Sequence, residues 1–379
     1  MVLNRKKIWT KPAPRDIALS TESCSGDNKF GNSRGDCLLQ NSPDCTQDRV
    51  RKLALRKCWM VRMVSKFSEV YVHSHWNHTI DLVQTLIKIV NDSLYVLYEP
   101  ENGAPEVDIV FFHGLQIEGA YRDAYCTTWS SDGTNLWPQS LLGKSLPRAR
   151  IWAVSYDSSA RASASGGAMD LHQIAESLVR NIIENNVAAV GRGTTPVVLV
   201  GHSLGGIVIK NLLVMACKVK EQYPDRLRHK KATIEGLIAN LCGVFYYATP
   251  HNGSKLADVL SKVPGNSPVL SYLRTLNTET ARLNDDFRKL REKYTIPTYA
   301  IAESLPTSFN FLGLRFIVVK EASARYDVDQ FSTAREDHIS ICKPRSKTNN
   351  TFQDLVQFVN DNVQSRGQVL TQGNHENLR

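Results

Sequence analysis

From Val107 to Val319 the chain keeps returning to one unit, a short apolar run that ends in small or polar residues. The runs are Val107–His113, Ile151–Asp157, Val197–His202, Cys242–Pro250, Ile296–Ala302 and Phe316–Val319, with an earlier one at Ser93–Tyr98. Helical spacing fills most of the gaps, over Leu171–Asn185, Leu204–Lys220 and Leu276–Tyr294. A strand with one wet face alternates apolar and polar residues; these runs do not, so both faces must be covered. Apolar strands separated by helices predict an α/β fold with a mostly parallel central sheet and helices on both faces. With 42% hydrophobic residues, the chain can fill such a core.

One junction carries chemistry. In PVVLVGHSLGGIVIK, Pro196–Lys210, an apolar run enters a turn at Gly201-His202-Ser203-Leu204-Gly205 that opens directly into a helical pattern. Strand, sharp turn and helix around G-x-S-x-G is the setting of a nucleophile elbow. The serine must hold a strained backbone angle so that its hydroxyl projects above the sheet, and side chains at Gly201, Gly205 or Gly206 would collide there. A serine serving only as a helix cap would not need those flanking glycines. Ser203 is therefore the predicted nucleophile.

A hydroxyl needs a base. Downstream of Ser203 stand His229, His251, His338 and His375. The first sits in a basic helix end, the last in a polar tail, and His251 follows its strand too early for the order Ser, acid, His. His338, in a polar loop after the last predicted strand, is the predicted base. The acid that orients it is predicted to be Glu303, which directly follows the run Ile296–Ala302. Asp327 and Asp329, read as lying between the final strand and His338, are the alternatives. The oxyanion hole is predicted from two backbone N–H groups, those of Leu115 in FFHGL and of Leu204 after the serine. His113 reads as a residue bracing that turn.

The remainder constrains less. Residues 1–47 are polar and lack an apolar period, and are read as disordered. Residues 48–93 are read as helical, over Asp48–Phe67 and Thr79–Asn91, with 94–365 as the catalytic domain and 366–379 as a polar tail. The net charge is +9, and residues 1–93 hold 15 Lys/Arg against 9 Asp/Glu. A basic segment of this kind suits an anionic membrane surface or simple solvation, and the first helix reads either as an interfacial helix or as one packed on the domain. The basic residues are not interleaved with aromatics in a recognised module, so nucleic acid is not an expected partner.

Eight cysteines without a CxxC pair fit a reducing, intracellular compartment, and no apolar run is long enough to span a membrane. Three histidines, His73, His75 and His78, lie together without a carboxylate or thiol among them, so they read as a polar turn and not a metal site. No metal or organic cofactor is expected. The stretch Gly253–Tyr294 is long enough for a cap, and Leu256, Val259, Leu260, Val263, Val269, Leu270 and Leu273 could face an acyl chain or simply pack.

FFHGL, WPQSLL, the strand ending in SYD, VVLVGHSLGGIVIKNLL, FYYATPHNGS, AESLPT and DHISICKP occur here in one order. Over about residues 94–362 that order resembles the serine-active-site-containing protein 1 family. Its members are lipase-like α/β-hydrolases related to the glycosylphosphatidylinositol-inositol deacylases. The resemblance implies an α/β-hydrolase fold with Ser203 as nucleophile, Glu303 as acid and His338 as base. It also implies a serine acyl hydrolase or transacylase of lipid esters, phospholipid remodelling, and placement at mitochondrial or endoplasmic reticulum membranes. Residues 249–254 would shape the site. The N-terminal part is shorter than that of the animal members. Two competing functions remain: a non-catalytic hydrolase-fold adaptor or tether, and a small-molecule carboxylesterase or thioesterase.

Overall fold

A computed structural model describes residues 87–116, 123–130, 135–160, 169–185, 188, 190–254, 257–258, 273, 278–309 and 314–376, with side chains to 366. Every described residue belongs to one unit, Ala54–Arg379. The readings of residues 1–47, of the helix at Asp48–Phe67 and of the run containing His73, His75 and His78 lie outside the described residues.

Eight strands form one sheet: β1 (Lys88–Asn91), β2 (Leu94–Tyr98), β3 (Val107–Phe112), β4 (Ala149–Val154), β5 (Val197–His202), β6 (Leu241–Tyr247), β7 (Thr298–Glu303) and β10 (Gln330–Ala334). Their order is β1-β2-β4-β3-β5-β6-β7-β10. Only β1 and β2 run antiparallel to their neighbours; β4, β3, β5, β6, β7 and β10 are mutually parallel. A parallel sheet led by an antiparallel β2, with the serine at the end of β5, is the α/β-hydrolase arrangement.

The pleat divides the core. Val110, Phe112, Trp152 and Val154 point to one face, against the helices Leu171–Leu178, Leu204–Gln222 and Thr278–Tyr294. Ile109, Phe111, Ile151 and Ala153 point to the other, where Trp129, Trp137, Phe352 and Phe358 cover them. Every residue of β3, β5 and β6 is buried. That double burial is why these strands lack alternation in sequence.

Three readings are corrected. The helical pattern of Thr79–Asn91 ends in strand β1, because Asn91 and Leu94 pair across a tight turn and Lys88 pairs with Val96. Phe316–Val319 is not a sheet strand; β8 (Thr307–Phe309) and β9 (Leu314–Phe316) form a separate small hairpin. The last strand of the sheet is β10, whose QFSTA has no apolar run because only Ala334 is fully buried. The final helix continues through residue 366, from Asn350 to Glu376. Among the described residues no helix is long and apolar enough to cross a membrane.

Candidate active site

The strand-to-helix turn fixes the serine. Ser203 has φ 54° and ψ −124°, a left-handed backbone that L residues rarely adopt. Its N–H donates to the carbonyl of Tyr247 at the end of β6, 2.9 Å away, which anchors the strained turn to the sheet. The two flanking glycines have steric reasons. A Cβ at Gly201 would stand 2.6 Å from the backbone nitrogen of Gly206, and one at Gly205 would stand 2.2 Å from the carbonyl oxygen of Phe112.

At the same sheet edge β7 ends in Glu303, and the loop after β10 delivers His338. Ser203 Oγ lies 2.9 Å from His338 Nε2, and His338 Nδ1 lies 2.5 Å from Glu303 Oε2. All three residues are buried. The second oxygen of Glu303 is also engaged: Oε1 accepts from the backbone N–H groups of Val318 at 2.6 Å and Val319 at 3.1 Å. A carboxylate held at both oxygens keeps its orientation. The backbone of His338 is held as well: its main-chain N–H donates to Thr307 Oγ1 at 2.9 Å and its main-chain carbonyl accepts from His202 Nε2 at 2.8 Å.

Asp327 and Asp329 stand apart from His338. They pair with Arg291 at 3.2 Å and 2.8 Å, and Asp329 Oδ2 accepts from the backbone and hydroxyl of Thr298 at the start of β7. Glu303 ends that strand, so the aspartates occupy the opposite edge of the sheet. Nor do they follow the last strand, as their sequence context suggested; both precede β10.

The turn after β3 faces Ser203. A Cβ at Gly114 would lie 2.9 Å from Ser203 Cβ, so the backbone around Leu115 passes directly over the nucleophile. Leu204 begins the following helix, whose first N–H groups have no partners within the helix. His113 braces this turn: its Nδ1–H donates to the Gly114 carbonyl, its Nε2 accepts from the Tyr156 N–H, and its ring stacks on Tyr156. Burial lowers its pKa to about 4, so it stays neutral near pH 7.

A cavity of about 440 Å³ opens onto Ser203 and His338. Ala257, Leu273, Phe309 and Val318 line one part and continue the apolar core of one sheet face. Thr127, Thr128 and Lys343 line another part, and Ile339 at the rim is half exposed. Of the apolar residues expected to face an acyl chain, Leu273 does line the cavity; Leu256, Val259, Leu260, Val263, Val269 and Leu270 lie outside the described residues. His251, in the 249–254 loop, is wholly buried and takes no part in the Ser203–His338 contact. Sequence reasoning missed Thr307 and the paired amides of Val318 and Val319, which form no motif, and gave no role to His202 within the Gly201–Gly205 turn.

No family model matches the chain. It is 26% identical to Protein SERAC1 of Mus musculus over 329 residues, covering 78% of this chain and 45% of that protein. Against Protein SERAC1 of Homo sapiens it is 25% identical over 309 residues, covering 73% of this chain and 42% of that one. The chain resembles the SERAC1 family. This is the same family that the sequence motifs resemble, and the chain spans less than half the length of these curated relatives. Among solved structures it is similar to the Bacillus licheniformis lipase BlEst2 in mature form, with TM-score 0.48, 18% identity, and coverage of 69% of this chain and 97% of that one. It is also similar to phospholipase PlaB from Legionella pneumophila in complex with thio-NAD, with TM-score 0.43, 13% identity, and coverage of 70% and 62%.

Proposed function

We propose that the chain is a serine acyl hydrolase acting on lipid esters, with Ser203 as nucleophile, His338 as general base and acid, and Glu303 as its orienting carboxylate. The observation that carries this reading is the unbroken series Ser203 Oγ, His338 Nε2, His338 Nδ1, Glu303 Oε2, with contacts of 2.9 Å and 2.5 Å. A core with no chemistry to perform gains nothing from a strained serine aimed at a buried imidazole.

The steps follow from the donors and acceptors present. His338 holds its proton on Nδ1, hydrogen-bonded to Glu303, and so offers a lone pair at Nε2. Ser203 Oγ attacks the ester carbonyl carbon while its proton passes to Nε2. The carbonyl oxygen becomes an oxyanion, met by the N–H groups of Leu115 and Leu204. The intermediate collapses as Nε2 returns that proton to the departing alcohol, leaving an ester on Ser203. A water, deprotonated by Nε2, attacks the acyl carbon; the acid leaves and Ser203 Oγ recovers its proton. An acceptor alcohol in place of water would give acyl transfer.

The lipid part of the reading rests on the apolar part of the cavity, where Leu273, Phe309 and Val318 could take an acyl chain. A phospholipid as the acyl donor, a role in phospholipid remodelling and a mitochondrial or endoplasmic reticulum site are inferences from the family resemblance; peripheral contact through the N-terminal segment is inferred from its basic charge. The test is hydrolysis of esters of increasing acyl length, with Ser203→Ala as control. Rates that rise with chain length and again on micelles support a lipid substrate. A short-chain preference with no gain on micelles would make it a small-molecule esterase.

A further inference from the structure

Pro250 and Ser254 of the 249–254 loop wall the cavity, and a buried lysine is joined to that loop through one asparagine. Lys210 lies seven residues beyond Ser203 on the helix Leu204–Gln222 and is 1% exposed. Its Nζ donates to Asn284 Oδ1 at 2.8 Å and lies over the rings of Phe287 and Tyr246, 5.4 Å and 5.9 Å from their centroids. Among the described residues no carboxylate stands within ion-pair distance of it. Asn284, 2% exposed on the helix Thr278–Tyr294, donates through Nδ2 to the carbonyl of His251 at 2.8 Å.

The cluster is poor in partners. Among the described residues neither ring nitrogen of His251 has a hydrogen-bond partner, nor do the hydroxyls of Tyr246 and Thr249, all of them buried. Placing an ammonium in such surroundings opposes folding, and an apolar side chain of similar length would fit more favourably. Burial lowers the lysine pKa to about 7, in keeping with that penalty. Simple packing is therefore a weak reason for a lysine here.

Its chemistry supplies a better one. In its protonated form Lys210 can only donate, and it then fixes which end of the Asn284 amide faces it. Oδ1 must turn to Lys210, and Nδ2 is thereby aimed at His251. The loop is gripped on its other side by Ser323 Oγ, which accepts from the N–H of Asn252 and donates to the carbonyl of Gly253. We propose that Lys210 is a positioning residue: through Asn284 it fixes the 249–254 loop and hence the cavity wall beside Ser203. In its activity arm alone, the proposal rests on the hydrolase reading given above.

The test uses the full chain and two variants, Lys210→Met and Asn284→Asp. The first releases the amide; the second keeps a partner for Lys210 but has no N–H for His251. Amide hydrogen exchange at Asn252, Gly253 and Ser254 should speed up at least ten-fold in both, and kcat/KM on an ester should fall at least ten-fold. The melting temperature of Lys210→Met should not fall, which a merely structural lysine would not allow. Should Lys210→Met not fold, Asn284→Asp alone still decides. Unchanged exchange in the loop, or activity lost only in proportion to lost folded protein, would overturn the proposal. Faster exchange in a chain whose wild type turns over no ester would uphold the link and sink the hydrolase reading instead.

Discussion

Glu303 divides its carboxylate between two tasks: Oε2 meets His338 Nδ1 at 2.5 Å, while Oε1 binds the N–H groups of Val318 and Val319. Removing the charge should therefore impair the base more than the fold. Glu303→Gln is expected to lower kcat by about 10⁴, the scale seen when a triad carboxylate becomes an amide and the imidazole takes the wrong tautomer. Steady-state kinetics, with circular dichroism to verify the fold, measure this. A loss below ten-fold would place the orienting acid elsewhere.

Gly114 should tolerate no side chain. Its Cβ would meet Ser203 Cβ at 2.9 Å and His202 Nδ1 at 3.1 Å, so the turn carrying Leu115 would be pushed off the nucleophile. Gly114→Ala is expected to reduce kcat by about 10²–10³, as for loss of one oxyanion donor. Near wild-type kcat would mean that the N–H of Leu115 does not serve the oxyanion.

Acid should destabilise the fold through three buried, neutral histidines. Burial lowers the pKa of His113 to about 4 and those of His202 and His251 well below the usual 6.5; the charge on His338 adds to the effect at His202. Between about pH 6.5 and 4 the unfolded chain binds more protons than the folded one, so stability is full above that range and declines as pH falls through it. Urea denaturation at a series of pH values measures the slope, and a flat profile would mean that these rings are solvated.

Lys210 should act at the other end of the scale. Burial is the main cause of its lowered pKa; the nearby charges of Asp327 and Arg291 oppose one another. The unfolded chain again binds more protons, now between about pH 7 and 10.5, so this group makes stability rise with pH across that window. In Lys210→Met that contribution to the slope should vanish. An identical slope in both proteins would contradict the burial of the charge.

Much of this was legible in the sequence because it depends on strand ends. GHSLGG marks the turn after β5 by its glycines, and Glu303 and His338 could be ranked by their positions after apolar runs. β10 could not be read, because a strand at the sheet edge buries little and QFSTA carries no apolar signature. That omission misplaced Asp327 and Asp329, which read as neighbours of His338 while their partners are Arg291 and Thr298. Contacts made by backbone groups, such as those of Val318 and Val319 to Glu303, leave no trace in residue identity. The Lys210–Asn284 contact joins residues 74 positions apart, beyond the reach of any local pattern.

The central claim is that Ser203 is an activated nucleophile. The most direct measurement is labelling of the purified full chain with a fluorophosphonate probe, comparing wild type with Ser203→Ala and His338→Ala. Labelled wild type, with both variants blank, is the predicted result. Folded wild type that stays unlabelled with and without detergent, or labelling that survives Ser203→Ala, would contradict it.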